Sequence, residues 1–140
     1  MFAIFLHIVC YDLWFYITHV ILHNPSFYYI HKIHHSTPYE SLIFLDTNVG
    51  DVIENTIQPL GIFIPCLGNN WYVSELVFAF IIVGIRAMMR HDHRCTWLIG
   101  NHHLLHHKYP KYNFGEYWID YYCGTVYPDD DEYIYGILYT

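Results

Sequence analysis

The stretch Asn101-His102-His103-Leu104-Leu105-His106-His107 concentrates metal-binding side chains in this chain of 140 residues. Two further histidine motifs precede it, His19-Val20-Ile21-Leu22-His23 and His31-Lys32-Ile33-His34-His35. Side chains three and four residues apart are neighbours on a helix surface, so each motif is expected to present its imidazoles on one helical face. Neutral imidazole is the commonest protein ligand for metals. The three motifs therefore predict a histidine-rich metal site carried by helices.

The motifs supply eight candidate ligands, which are His19, His23, His31, His34, His35, His103, His106 and His107. A tetrahedral zinc needs only four ligands, so this set suits two metals with coordination positions left open. Imidazole binds zinc, copper, iron and nickel, so ligand type alone does not select the metal. A structural zinc site or a histidine-rich surface helix is the alternative interpretation. His102 lies four residues before His106, so a shifted register would make it a ligand. We expect His93 to be solvated or to support a ligand.

The composition is typical of a membrane protein and excludes a nucleic-acid-binding one. Apolar residues make up 54% of the chain and aromatic residues 20%, and much of the apolar content lies in long blocks. The formal net charge is −7, whereas nucleic acid is bound by basic surfaces. The four cysteines form no C-x-x-C pair, so we expect reduced thiols. The sequence has no nucleophile elbow and no glycine-rich phosphate loop.

The apolar blocks predict an all-α integral membrane helical bundle. Residues 1–22 and 71–89 are each about long enough to span a bilayer. Both helices must end on the face that carries the histidines, so residues 42–67 are expected to descend into the membrane and 71–89 to return. Polar residues recur at three- and four-residue intervals in the descending segment and predict a stripe that faces inward. They are Asn48, Asp51, Asn55 and Gln58.

Charge predicts the orientation of this bundle. The Lys and Arg residues all fall on the histidine face; they are Lys32, Arg86, Arg90, Arg94, Lys108 and Lys111. Positive charge marks the cytoplasmic side, so the metal site is expected there. Asp12 shares a helix face with His19 and His23, and metal-bound histidines commonly donate their other N–H to a carboxylate. We therefore predict that Asp12 supports a ligand, and that His7, farther along the helix, is packed or interfacial. Residues 126–140 form an acidic, tyrosine-rich tail whose run 129–132 is expected to be solvated.

These motifs resemble the fatty acid hydroxylase / sterol desaturase superfamily of membrane non-haem di-iron enzymes. That family shows H-x3-H, H-x2-H-H and a later H-x2-H-H in the order found here. Asp12, with six residues before His19, resembles its D-x6-H. Residues 27–41, FYYIHKIHHSTPYES, resemble its Y-x-x-H-K-x-H-H stretch with the proline that follows. Residues 102–125, HHLLHHKYPKYNFGEYWIDYYCGT, resemble its last motif with the N-Y-G, W-D and G-T that follow.

The resemblance implies an O₂-dependent lipid oxidoreductase of lipid biosynthesis, a hydroxylase or desaturase of a fatty acyl or sterol substrate. It implies two Fe ions, with zinc as a substitute, and adds His91 to the ligands. Asp51 and Glu54 occupy the family's H-P-x-E positions and, with Asp120, are expected to support ligands. The implied partners are a lipid from the bilayer, O₂, and an external electron donor such as cytochrome b5 and its reductase. The implied location is the endoplasmic reticulum membrane.

The competing interpretation is a catalytically inactive or truncated metal-binding membrane protein with structural zinc. Family members usually carry further spanning helices ahead of the first histidine motif. We therefore expect residues 1–140 to form a single hydroxylase-like domain that lacks those helices. Such a domain is either a minimal member of the family or a fragment that needs a partner chain.

Overall fold

A computed structural model describes residues 1–68 and 73–138, and every regular element in those ranges is helical. The predicted all-α class is confirmed for them. The α-helices are α1 (Phe2–Leu22), α2 (Tyr28–His31), α3 (Val52–Ile57), α4 (Val73–Arg90), α5 (Thr96–Ile99), α6 (His102–Lys108) and α7 (Tyr117–Cys123). Segments of 3₁₀ helix lie at His34–Ser36, Tyr39–Ser41, Phe44–Asn48, Gln58–Gly68, His93–Cys95 and Asp130–Glu132.

The long helix α1 packs along the 3₁₀ segment Gln58–Gly68, and the two run in opposite directions. The Trp14 indole donates to the Ile57 carbonyl at 2.8 Å, and the buried His7 ring bonds to the Ile62 carbonyl at 2.6 Å. The backbones approach so closely that a Cβ at Gly61 would lie 2.3 Å from Cβ of Trp14. Only glycine permits this contact, so position 61 sets the separation of the two segments.

Helix α4 returns beside α1, and both helices end at the histidine motifs. A small core of Tyr11, Ile62, Ala79 and Val83 lies between these segments. Buried charges connect the same elements to the loop before α7. Arg86 pairs with Asp12 on α1, and Glu116 pairs with both Arg86 and Arg90. Opposite charges compensate one another in this network, as buried ions require.

One helix of the described part of the chain, α1, is long and apolar enough to cross a membrane, with a mean hydropathy of 1.6. Helix α4 is 18 residues long and contains Glu75, Arg86 and Arg90, so its composition is less apolar. The span expected at 71–89 begins in residues 71 and 72, which lie outside the described residues. That span stays a prediction.

The acidic C-terminal segment is bound to the rest of the chain. Asn101 exchanges hydrogen bonds with Ile134, and the Ile137 and Leu138 amides donate to carbonyls of α5. A Cβ at Gly136 would lie 2.3 Å from the Gly100 nitrogen, so this glycine allows the backbones to touch. Glu132 pairs with Lys108 at the end of α6 at 2.5 Å. The three aspartates before Glu132 are exposed, as expected for a solvated run.

Candidate metal centre

The structure brings nine histidines together in two adjacent groups, and the candidate ligand nitrogens within each group lie within 4.8 Å of one another. The five-histidine group contains His19, His23, His31, His35 and His106. The four-histidine group contains His34, His91, His103 and His107. These are the residues proposed as ligands from the motifs and from the family resemblance. His91 directly follows α4, so it joins the group from the end of that helix.

Each H-x2-H-H motif divides its histidines between the two groups. The first and last histidines of a motif stay together, as His31 and His35 do in one group and His103 and His107 in the other. The middle histidine, His34 or His106, joins the opposite group. The expectation that all three rings share one face therefore differs from the structure. Successive residues of an α-helix diverge by about 100°, and α2 ends at His31 before a 3₁₀ turn begins at His34.

Three rings of the five-histidine group are oriented through Nδ1. His31 donates to Glu54 Oε1 at 2.6 Å, and His106 donates to the Tyr112 carbonyl at 2.6 Å. His19 donates to the Phe114 carbonyl. These three side chains have no solvent exposure. An acceptor at Nδ1 places the proton there and leaves Nε2 as a lone-pair donor for a metal.

Two rings of the four-histidine group are oriented in the same way. His34 donates from Nδ1 to the Val49 carbonyl at 2.9 Å. The Thr47 hydroxyl donates to the Ala87 carbonyl and accepts from Nδ1 of His91, each at 2.6 Å. Nδ1 of His103 and both ring nitrogens of His107 have no hydrogen-bond partner among the described residues. Two of these four rings are therefore held through Nδ1, both by neutral oxygens. In the other group three of five are held, one of them by a carboxylate.

The facing lone pairs show that the donor set fits a cation. Nε2 of His19 lies 3.0 Å from Nε2 of His31, and Nε2 of His34 lies 3.1 Å from Nε2 of His91. Both rings of each pair carry their proton on Nδ1, so neither Nε2 can donate to the other. Two nitrogens bound at right angles to one ion at about 2.1 Å would lie about 3 Å apart. A metal ion in each group would convert this repulsion into coordination.

Burial keeps these imidazoles neutral, as coordination requires. It lowers the pKa of His23 to about 4 and, with neighbouring imidazoles, that of His35 to about 3. Burial and the nearby His34 lower the pKa of His91 to about 3. The pKa values of His103, His106 and His107 also fall well below 6.5, with burial as the main cause. Lone pairs are therefore available at neutral pH.

The carboxylates expected to support ligands differ in position. Glu54 accepts directly from His31, as described above. Asp120 acts one step away, since it accepts from the Phe114 and Gly115 amides and so holds the loop that supplies the His19 acceptor. Asp51 instead caps α3 by accepting from the Ile53 amide at 2.8 Å. Asp12 is paired with Arg86, because the Phe114 carbonyl already occupies Nδ1 of His19.

The remaining three histidines lie outside both groups. One is His7, whose bond to the Ile62 carbonyl is described above. His102 bonds to Asp120 at 3.0 Å and His93 to the Tyr39 carbonyl at 2.7 Å. The structure therefore does not place His102 with the candidate ligands. Sequence reasoning missed the backbone carbonyls of Val49, Tyr112 and Phe114 as orienting groups. A backbone carbonyl leaves no signal in the sequence, because every residue has one. Thr47 was also missed, although it lies one residue before the predicted polar stripe and could have been included in it.

A cavity of about 340 Å³ lies beside both histidine groups. Its walls include His19 and His31 of one group and His34, His91 and His103 of the other. Aromatic and aliphatic side chains of α1 and α4 line the part that extends away from the histidines. This volume is at the lower end of the range for small-molecule sites. The cavity gives an apolar molecule access to the candidate metal centre.

A family model described as Fatty acid hydroxylase matches residues 4–125. The match includes every histidine of both groups, the Glu54 carboxylate and the loop held by Asp120. No curated protein and no solved structure matches the chain. The family assignment agrees with the histidine spacing and with the resemblance noted from the sequence. The chain therefore belongs to the fatty acid hydroxylase family.

Proposed function

We propose that this protein is an O₂-dependent membrane oxidoreductase that hydroxylates or desaturates a fatty acyl or sterol lipid at a di-iron centre. Family membership implies an oxidoreductase acting on lipids. The observation that carries the metal assignment is the facing of Nε2 lone pairs within each histidine group. Nine buried or half-buried imidazoles in two groups suit two ions, with His19, His23, His31, His35 and His106 at one and His34, His91, His103 and His107 at the other.

The protein residues have three tasks in this proposal. Glu54, Thr47 and the loop carbonyls hold the imidazoles in the tautomer that presents Nε2. The side chains that bury the histidines exclude water from the centre. The cavity orients the lipid against the histidine groups. When bound, two irons would supply O₂ activation and oxidation of an unactivated C–H bond, with electrons from a donor such as cytochrome b5 and its reductase.

Exposed apolar side chains on α1 and α4 support a membrane location. On α4 they include Val77, Phe78, Ile81 and Ile85. A contiguous surface of exposed apolar side chains is uncommon on a soluble monomer and is expected to contact lipid or protein. We propose that α1 and α4 both span the bilayer, with the histidines at the cytoplasmic face of the endoplasmic reticulum membrane. The positions of the Lys and Arg residues support this orientation.

We also propose that residues 1–140 act as one hydroxylase-like domain with the segment after residue 125 as its closing strap. The hydrogen bonds of Ile134, Ile137 and Leu138 to residues 97–101 support this. The ion pair between Glu132 and Lys108 attaches the strap to α6, the helix that carries three of the candidate ligands. The strap would therefore help to hold α6 in place.

The direct test is metal analysis combined with turnover. The protein is expressed in membranes and purified, iron and zinc are counted per chain, and NADH-dependent O₂ consumption is measured with cytochrome b5 and its reductase supplied. Lipid extracts from cells with and without the gene identify the product. We expect two irons per chain and an oxidised lipid that appears only with the gene.

One tightly bound zinc without turnover would contradict the proposal. That result would favour the competing structural-zinc interpretation. The location is tested by tagging either end of the chain and probing accessibility in sealed microsomes. Protection of the histidine-bearing face from a cytoplasmic reagent would contradict the proposed orientation.

A further inference from the structure

A second cavity, called the small cavity below, has room for about one water molecule. Its volume is about 10 Å³, close to the smallest space that a buried water occupies. Its lining includes Arg90, Ile99, His102, His103 and Glu116. His103 is a candidate metal ligand that also lines the larger cavity described above. The small cavity therefore adjoins the candidate metal centre.

Three polar side-chain atoms of these lining residues are buried and have no hydrogen-bond partner in the part of the chain that the structure describes. They are Nδ1 of His102, Nδ1 of His103 and Oε2 of Glu116. None of the three residues is more than 4% exposed. A buried polar atom without a partner destabilises a fold. Three such atoms on residues around one cavity point to a shared partner.

Metal coordination fixes the proton of His103. Nε2 of His103 faces Nε2 of His91 at 3.2 Å and would bind the ion of the four-histidine group. Nδ1 of His103 then carries the proton of the ring. A cation on Nε2 draws electron density from the ring and makes this N–H a stronger donor. Nδ1 of His103 therefore needs an acceptor.

The other two atoms are themselves acceptors. Nε2 of His102 lies 3.0 Å from Asp120. A carboxylate only accepts, so Nε2 carries the proton of the neutral ring and Nδ1 is left with a lone pair. The Glu116 carboxylate pairs with Arg86 and Arg90 through Oε1, which leaves Oε2 on the other side. The small cavity is thus surrounded by one donor and two acceptors.

A water molecule matches this set, and an ion does not. Water would accept from His103 and donate its two hydrogens to His102 and Glu116, and buried waters make about three hydrogen bonds. A cation would face the N–H of His103. An anion would face a carboxylate oxygen and an imidazole lone pair, and the charge of Arg90 is already compensated by Glu116.

We propose that the small cavity binds one water molecule, through which Glu116 orients His103 for metal binding. This inference rests on the proposed metal centre for the role of His103. Metal-bound histidines commonly donate their other N–H to a carboxylate, a carbonyl or a water. Here a carboxylate stands behind the water. Glu116 is therefore a positioning residue, which acts through the water and does not touch the metal.

The water would connect the four-histidine group to the buried charges of the bundle. Glu116 pairs with Arg86, and Arg86 pairs with Asp12 on α1. His103 lies on α6, so the water joins α6 to the ion network between α1 and α4. A bridging water must itself be immobilised. The direct Nδ1 bonds described above therefore still make the five-histidine group the more firmly held.

A crystal structure of the zinc-loaded protein, at a resolution that shows ordered waters, tests the site directly. We expect one peak in the small cavity, at about 2.7–3.2 Å from all three atoms and without an anomalous signal. A small cavity without a peak, or a peak whose anomalous signal identifies an ion, would overturn the proposal. This structure decides the question whether or not the iron-loaded protein consumes O₂, so the inference and the proposed function fail separately.

Ile99→Phe tests what the water does. Ile99 is buried and lines the small cavity, so a larger apolar side chain there should displace the water without supplying an acceptor for His103. Chelator competition gives the zinc affinity of each group, assigned with His34→Ala and His106→Ala. The four-histidine group should lose about tenfold relative to the five-histidine group.

Ile99→Val is the control at the same position, because it leaves room for the water and should keep the ratio of the two affinities. A general displacement of α6 by the phenyl ring would lower both affinities, since this helix carries ligands of both groups. An unchanged ratio in Ile99→Phe would therefore overturn the role of the water in holding His103.

Glu116→Gln tests the carboxylate behind the water. The amide oxygen can stay with the arginines, which leaves the NH₂ group toward the cavity, where the water needs an acceptor. The four-histidine affinity should fall about tenfold relative to the other. Asp12→Asn is the matched control, because it removes a charge from the same ion network at a residue that does not line the small cavity. Equal affinity ratios in these two variants would overturn the positioning role of Glu116.

Discussion

The two histidine groups differ in how firmly their rings are held. In the five-histidine group, His19, His31 and His106 each donate from Nδ1 to a fixed acceptor, and one acceptor is the Glu54 carboxylate. In the four-histidine group only His34 and His91 are held, both by neutral oxygens. A ring that is already oriented loses less entropy on binding, and a carboxylate raises imidazole basicity. The five-histidine group is therefore expected to bind its ion more tightly.

In the proposed di-iron centre, this difference suggests separate tasks for the two ions. Three of the four histidines in the less firmly held group line the cavity, compared with two of five in the other. An ion with fewer protein ligands keeps more coordination positions for exchange. A firmly held ion beside a more open one would combine retention of the centre with access for small reactants.

The largest expected effects come from removing one ligand from each group. His106→Ala removes a candidate ligand of the five-histidine group, and His34→Ala removes one of the four-histidine group. Each should reduce the bound iron from two ions to one and lower the affinity of the affected site by more than about 100-fold, because even residues that only support a ligand contribute 10–100-fold. Metal per chain and product formation are measured together.

His7→Ala is the matched control for these variants. His7 is as buried as His34 and His106, but its ring bonds to the carbonyl of Ile62 in the segment Gln58–Gly68. It should keep both irons per folded chain. Equal metal loss in all three variants would mean that packing, and not coordination, explains the loss.

A smaller effect is expected from the residues that orient the rings. Burial raises the pKa of Glu54 to about 8, and a cation bound to His31 would favour its ionised form. Glu54→Gln keeps an acceptor for His31 but removes that ionised form, so the affinity of the five-histidine group should fall about tenfold. Thr47→Val should lower the affinity of the four-histidine group less, because His91 can still donate to the Ala87 carbonyl at 2.8 Å. Chelator competition gives both affinities. A larger loss for Thr47→Val would contradict the ranking of the two groups.

The spacing of the histidines predicts a metal site because several imidazoles must reach the same ion, which restricts their positions on a helix. Eight histidines at helical intervals pointed to a metal site, and the structure gathers those eight with His91, which depended on the family resemblance. The division into two groups was not predictable from spacing. It depends on where α2 ends and on the angle at which α6 faces α1, which are tertiary features.

Another difference between the sequence expectation and the structure has the same origin. Asp12 was expected to support a ligand because it shares a helix face with His19. In the structure the carbonyl of Phe114, 95 residues away along the chain, occupies that position, while Arg86 pairs with Asp12. Competition between two possible acceptors is decided by packing. The all-α class, in contrast, followed from long apolar blocks, which allow few alternatives.

The smallest expected effect comes from the ion pair that attaches the strap to α6. That helix supplies His106 to one group and His103 and His107 to the other. Loosening its end should therefore lower both affinities by the same factor. Glu132→Gln removes the charge opposite Lys108 but leaves the strap backbone in place. Because the pair is partly exposed, solvent and salt screen it, and we expect at most about a twofold loss in each affinity. The same chelator titration, repeated at high salt, should abolish the difference from the unmodified protein. An unequal loss of the two affinities would show that α6 does not move as one rigid element. The loop at residues 112–114 would then contribute more than α6 to holding the rings of the five-histidine group.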